Sequence, residues 1–230
     1  LNQVCWIRNG VARAQAGIRL LKLDAEARAQ GWELRCLPST FRIASLGGLF
    51  GGGFGGIGSI NHGPLGSTGN VLGIRLMTVE ETPRLIDLRG EEALMLHHMW
   101  GTNGIVLEVE VALSPAQPWM EVIVAFEAGS DALAFANALA LAPGIAKKNI
   151  CVWMDPIPAY LTRLAEHLPK DQHAVGVAVA SSSLEGMVQM ARVHRGRITY
   201  QDDVLAAIAQ NRTVLEYTWN HTTSVSYTHL

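Results

Sequence analysis

The chain has 230 residues, of which 49% are hydrophobic and 17% charged, enough to bury one large core or two smaller ones. Its net charge of −2 leaves no basic excess, which argues against nucleic acid or an anionic membrane surface as a partner. Three cysteines, Cys5, Cys36 and Cys151, stand far apart. They form neither a disulfide framework nor a CxxC zinc pair, and they are expected to be buried thiols in a reducing compartment, so a cytoplasmic location is expected.

In chain order, residues 17–30 show helical spacing of apolar positions and stop at Gly31, which predicts a helix. "WELRCLP" follows as a short strand ended by Pro38. A glycine-rich region occupies 47–73. Two β-rich runs around "VEETP" predict an antiparallel hairpin, 71–78 with 83–88. A helix over 91–99, a turn at "GTNG" (101–104) and an alternating strand over 105–113 come next. The two prolines of "SPAQPW" (114–119) mark a domain boundary. Beyond it, strands at 120–126, 149–154, 173–180 and near Ile198 alternate with helices at 130–141 (capped by Ser130), 157–168, 184–193 (capped by the serines at 181–183) and 202–210. That order predicts a small α+β sandwich with helices on one face.

No membrane-spanning segment is expected. The most apolar window, 132–146, is shorter than the ~20 residues a spanning helix needs, and Pro143 and Gly144 interrupt it. No signal peptide is visible. The chain opens at Leu1 as if within a folded segment, and "VSYTHL" (225–230) resembles a translated adapter. An internal fragment with a non-native tail is therefore expected.

The unusual stretch is "GGLFGGGFGGIGSINHGPLGSTGN", residues 47–70. A flexible linker of this glycine content would carry polar filler. Here the filler is Leu49, Phe50, Phe54, Ile57, Ile60 and Leu65, which would bury themselves. Gly51, Gly53 and Gly56 match GxGxxG, as do Gly53, Gly55 and Gly58. A dinucleotide fingerprint must open a helix, and "IGSINHGPLGSTG" has no helical period, so the Rossmann reading fails on context. The remaining reading is an ordered backbone surface. From Ile43 to Ile74 there is no Asp, Glu, Lys or Arg, so a bound anion would be met by amide donors. Bare backbone also offers a wall to a flat ring. A flavin nucleotide asks for both.

The order "PST" (38–40), "GGLFGGGFGGIGSINHG" (47–63), a hairpin, then "GTNGIVLEV" (101–109) resembles the FAD-binding domain of the vanillyl-alcohol oxidase and p-cresol methylhydroxylase (PCMH-type) flavoproteins. Among them it is most similar to the glycolate oxidase and D-lactate dehydrogenase type. The resemblance implies FAD as cofactor and an α+β fold in two parts. Residues 1–116 correspond to the second subdomain of the FAD-binding domain, and 117–224 to part of an α+β substrate, or cap, domain. It also implies cofactor contacts. Pro38, Ser39 and Thr40 match the contact before the loop. Gly47, Gly48, Gly52, Gly55, Gly56 and Ser59 match the loop under the pyrophosphate and ribityl chain. His62 and Gly63 match the "YG" that closes it, with histidine replacing the common tyrosine. Gly104, Ile105 and Val106 match a strand whose backbone meets the cofactor. The family's first subdomain would precede Leu1, and its catalytic side chains would lie outside this chain.

The parent activity implied is oxidation of an alcohol or 2-hydroxy acid by hydride transfer to flavin, with oxygen or an electron carrier as acceptor. A non-catalytic flavin- or nucleotide-binding module is the alternative. The eight histidines include no HxH or HExxH, so surface or capping roles and no metal site are expected. No Gly-x-Ser-x-Gly elbow follows a strand, which leaves a hydrolase unsupported. The six tryptophans, among them Trp100, Trp119 and Trp153, are expected in the core or at an interface rather than as a substrate platform.

Overall fold

The computed structural model describes residues 1–53 and 55–217; the expected tail at 225–230 lies outside them. Backbone contacts divide the chain into two compact units, Leu1–Ala116 and Gln117 onward.

The first unit begins with a hairpin that sequence reading did not assign. Strands β1 (Val4–Arg8) and β2 (Val11–Gln15) pair antiparallel about Asn9 and Gly10, both at positive φ, 50° and 73°. This is the two-residue Asn-Gly turn whose twist suits a hairpin. Helix α1 (Leu20–Arg28) buries Leu20, Leu23 and Ala27. It starts later than expected because the backbone at 18–20 pairs instead with the segment before the glycine region: Leu46 donates to Ile18 O at 2.9 Å and Leu20 to Ala44 O at 3.0 Å. Asp24 on α1 accepts from Leu34 N at 2.8 Å and from Arg28 at 2.8 Å, tying the helix to β3 (Trp32–Leu34).

Strand β3 is shorter than "WELRCLP" suggested, because by Leu37 the chain pairs with Ile57 in the glycine region. The expected hairpin is present as β4 (Val71–Met77) and β5 (Leu85–Arg89), and the long strand as β6 (Ile105–Pro115). The main sheet runs β1-β2-β6-β4-β5, with β3 also on β6, and every pairing is antiparallel. Across one face Arg13 bonds Glu108 at 2.5 Å, Glu110 at 2.8 Å and Asp87 at 2.9 Å, while Arg89 also bonds Glu110. Cys5 lies exposed on β1 rather than buried; Cys36 is buried as expected.

Between these strands the glycine-rich stretch folds into two short helices, α2 (Leu46–Gly52) and α3 (Ser59–His62). Helix α4 (Gly90–Leu94) is only half the expected length. The chain after it turns back on α2: His98 donates to Phe50 O at 3.0 Å and Trp100 to Gly51 O at 2.8 Å.

The second unit is a four-stranded antiparallel sheet in the order β10-β7-β9-β8. Its strands are β7 (Trp119–Phe126), β8 (Lys147–Trp153), β9 (His173–Ala180) and β10 (Arg197–Asp203). Helices α5 (Gly129–Leu141) and α6 (Leu184–Val193) cover one face through Phe135, Leu139, Met187 and Ala191. The other face is not open, as a one-sided sandwich would leave it. Ile123, Trp153 and Tyr200 there pack with Leu161, Leu164, Leu168 and Val214. The segment at 157–168 forms two 3₁₀ turns, Ile157–Tyr160 and Thr162–His167, rather than one helix; Pro158 has no N–H to donate to an α-helical ladder. Helix α5 opens at Gly129 with Ala128, not Ser130, at its cap. The last helix, α7 (Val204–Ala209), takes its cap from Asp203, whose carboxylate accepts from Ala206 N at 2.9 Å.

Candidate flavin site

Helix α2 forms despite four glycines because Leu46, Leu49 and Phe50 share one buried face and Ser45 caps it, its hydroxyl accepting from Gly48 N at 3.1 Å. Its first-turn amides are all engaged. Leu46 donates to Ile18 O at 2.9 Å, Gly47 to Ala16 O at 2.7 Å, Gly48 to Ser45 Oγ at 3.1 Å and Leu49 to Ser45 O at 2.9 Å. A helix N-terminus binds anions through unsatisfied N–H groups, and here none is left over. Gly47 is required by packing, since a Cβ would stand 2.7 Å from that of Ala16.

The turn containing Pro38, Ser39 and Thr40 lies directly against the second half of the stretch. Leu37 and Ile57 exchange two backbone bonds of 3.0 Å. At Gly55, φ +64°, a Cβ would stand 3.0 Å from that of Cys36, and Gly58, at φ +92°, faces Arg35 O so closely that a Cβ would lie 1.9 Å from it. Ser39 is buried and Thr40 exposed. The amides of Gly55 and Gly56 find no acceptor among the described residues. Ser59 starts α3 with its hydroxyl donating to Gly56 O at 2.6 Å. His62 ends it, its Nε2 lying 3.1 Å from Ser114 Oγ on β6. Asn70, almost wholly buried, donates to His62 O and Pro64 O at 2.9 Å each and clamps this loop.

Gly104, Ile105 and Val106 occupy the opposite end of β6. Gly104 sits at φ +131° with Met77 O 2.9 Å from where a Cβ would be. Ile105 is 48% exposed. From Gly104 to Ser114, where His62 is held, the strand spans roughly 30 Å at its usual rise. The expected contacts thus form one cluster, 38–40 with 55–63, and a separate strand end, an elongated arrangement rather than a single point.

Against the end of α2 lies a feature that sequence reading placed elsewhere. Trp119 and Trp153 are in the core, but Trp100 is 72% exposed. It sits at φ +55° with its ring against Gly52, where a Cβ would come within 3.3 Å. His97, expected at the surface or as a cap, is half-buried between Phe50 and Gly66. Burial holds its imidazole below the ordinary range, with His98 adding to the effect, and its Nε2 has no partner among the described residues. The run "HHMW" before "GTNG" is the only local feature that sets this segment apart in the sequence.

The residues present fit a flavin nucleotide. The surface is uncharged backbone, the amides of Gly55 and Gly56 are among its donors without an acceptor in the described residues, and an exposed aromatic ring stands beside Gly52. Residues 1–84 match the family described as FAD binding domain, and that match indicates FAD as the cofactor of this part of the chain. The whole chain is similar in fold to alkyldihydroxyacetonephosphate synthase in two crystal forms. Each match has a TM-score of 0.71 at 14% identity and covers 94% of this chain. The chain spans 44% and 45% of those two structures, and at that identity the likeness shows the fold alone. No curated protein matches the sequence. Among the described residues no helix is long and apolar enough to cross a membrane.

Proposed function

We propose that the protein carrying this chain is an FAD-dependent oxidoreductase that oxidises an alcohol or a 2-hydroxy acid, with oxygen or an electron carrier as the final acceptor. The first unit supplies one side of the flavin site, and the second is part of the substrate domain. The observation that carries the reading is the FAD-binding domain match over 1–84, laid on a stretch with no charged side chain from Ile43 to Ile74.

In this reading the 38–40 turn and the 55–63 segment hold the cofactor's polar chain through backbone. The amides of Gly55 and Gly56 are donors toward its phosphates, while Gly47 and Gly48, whose amides are engaged, contribute only contact surface. Gly104, Ile105 and Val106 present backbone and an apolar side chain to the same ligand, and His62 is held in place by Ser114. Bound FAD supplies a two-electron acceptor for the hydride that leaves the substrate carbon. The hydroxyl proton passes to a base outside these residues, and the product is the carbonyl compound.

The test is an absorbance scan of the full-length protein under anaerobic conditions. A yellow protein bleached by a 2-hydroxy acid or alcohol is expected. A yellow protein inert to every donor establishes the alternative, a non-catalytic flavin module. A colourless protein that takes up no added FAD refutes both.

A further inference from the structure

The geometry points to Trp100 as an aromatic platform that stacks on one of the two planar rings of FAD, the isoalloxazine or the adenine. This rests on the flavin site proposed above and goes beyond it, because Trp100 lies outside the glycine motifs. Three observations converge on this residue.

The first is exposure. Trp100 is 72% exposed, although indole is among the side chains that gain most from burial. The second is conformation. It stands at φ +55°, and His98 two residues before it at φ +59°, in a region that non-glycine residues enter only when their surroundings impose it, commonly at ligand clamps. The third is what imposes it. The amides of His98 and Trp100 are fastened to Phe50 O and Gly51 O, the last turn of α2. The benzo edge of the indole rests on Gly52, whose missing side chain is what lets it lie there. His98 supports it edge-on, with ring centroids 5.5 Å apart.

The chain therefore fixes a large flat ring beside its own bare backbone and leaves most of the ring uncovered. Among the described residues the ring meets Gly52 on one edge and His98 edge-on, and most of its surface stays uncovered. The surface beside it carries no charge, so a neutral, planar, polarisable group is the complementary occupant. FAD brings two such groups, and ring stacking tolerates either.

The experiment uses the full-length protein freed of cofactor and titrated with FAD, FMN and ADP. Trp100→Ala lowers FAD affinity on the order of tenfold, and Trp100→Phe, which keeps a stacking ring, stays within about threefold. A loss confined to FMN assigns the isoalloxazine, and a loss confined to ADP assigns the adenine. If the isoalloxazine is stacked, its fluorescence is quenched in the wild type and recovers in Trp100→Phe. Trp100→Gly relieves the positive φ, so it retains the wild-type unfolding midpoint without ligand while binding FAD as weakly as the alanine variant. Unchanged affinities of Trp100→Ala for all three ligands overturn the platform while leaving the flavin site standing. Equal losses in Trp100→Phe and Trp100→Ala also overturn it, since stacking would then not be the cause. A wild-type protein that binds none of the three ligands overturns the flavin reading and the platform with it.

Discussion

Substituting Gly58 by alanine separates the glycines that build this surface from those that merely permit it. Gly58 stands at φ 92° and ψ −13° ahead of α3, and a Cβ there would lie 1.9 Å from Arg35 O and 3.0 Å from Arg35 C. The left-handed backbone alone costs a non-glycine residue about 1–2 kcal/mol. The overlap is with main chain, not a flexible side-chain tip, so the 35–37 and 57–58 backbones must part, at about 1–3 kcal/mol more. A total of roughly 3 kcal/mol is expected in the absence of cofactor. The local reporter is hydrogen exchange at the Leu37 and Ile57 amides, which bond each other's carbonyls at 3.0 Å. At roughly tenfold per 1.4 kcal/mol, their protection should fall more than a hundredfold. Gly69→Ala is the control: φ is +87° but a Cβ meets nothing within 4 Å, so only the strain of about 1 kcal/mol remains. Gly51→Ala, helical and equally open, should stabilise by up to about 1 kcal/mol. A Gly58→Ala protein whose loss is no larger than that of Gly69→Ala would refute the argument, because the Arg35 contact would then be absent.

Glu121 is fully buried and accepts from Tyr200 OH at 2.9 Å, Thr213 Oγ1 at 2.6 Å and Val214 N at 3.1 Å. Burial nonetheless pushes its carboxyl up to about 7. The folded state therefore takes up a proton that the unfolded chain lacks between about pH 4.5 and 7, so this stability is present at low pH and lost as pH rises through about 7, by roughly 3 kcal/mol. In urea unfolding from pH 4 to 8, Glu121→Gln should remove that slope, and a wild-type curve parallel to the variant's would count against it. Asp87 behaves oppositely: Arg75, then Arg13, holds its carboxyl below the usual range. Its contribution is present above the ordinary carboxylate value and lost as pH falls through the lowered one, and Arg75→Ala should raise the Asp87 titration midpoint seen by carboxyl NMR. Asn70→Ala removes the side-chain donor to His62 O and Pro64 O, the latter keeping Ser67 N at 2.8 Å, a loss of about 1 kcal/mol, read as faster proteolytic cutting within 59–66.

The elements legible in the sequence were those with a period or a cap of their own. "VLGIRLM" and "LIDLR" flank a proline-containing turn, and β4 and β5 pair as a hairpin. "GSDALAFANALAL" repeats at helical spacing, and α5 is the longest helix described. Asn9-Gly10 is as strong a hairpin signal as any, yet its flanks, "VCWIR" and "VARAQ", alternate poorly, and only the pairing of β2 with β6 makes them strands. The helix at α2 was legible in principle, since Leu46, Leu49 and Phe50 stand at i, i+3 and i+4. Its glycine content outweighed that spacing. Nothing local could show α3, a single turn of four residues held by Gly56 O and the Asn70 clamp. Trp100 was misplaced for a related reason. Composition assigns tryptophan to the core, and only the bonds from His98 and Trp100 to α2 turn this one outward.

The glycines themselves divide along the same line. Charge neutrality from Ile43 to Ile74 suggested amide donors for an anion, and glycine density suggested that they were many. The structure gives most of those amides to the protein: the first turn of α2 is satisfied by Ile18, Ala16 and Ser45, and Ile57 by Leu37. Gly47, Gly55 and Gly58 are glycine because Ala16, Cys36 and Arg35 come too close for a side chain. What remains is the half-buried backbone of Gly56 beside the buried Gly55, an exposed apolar strand start at Ile105 and the exposed indole of Trp100. In the proposed site such a surface would hold the dinucleotide more by shape and ring contact than by charge. Its affinity should therefore change little with added salt, whereas a site built on lysine and arginine would weaken steeply as ionic strength rises.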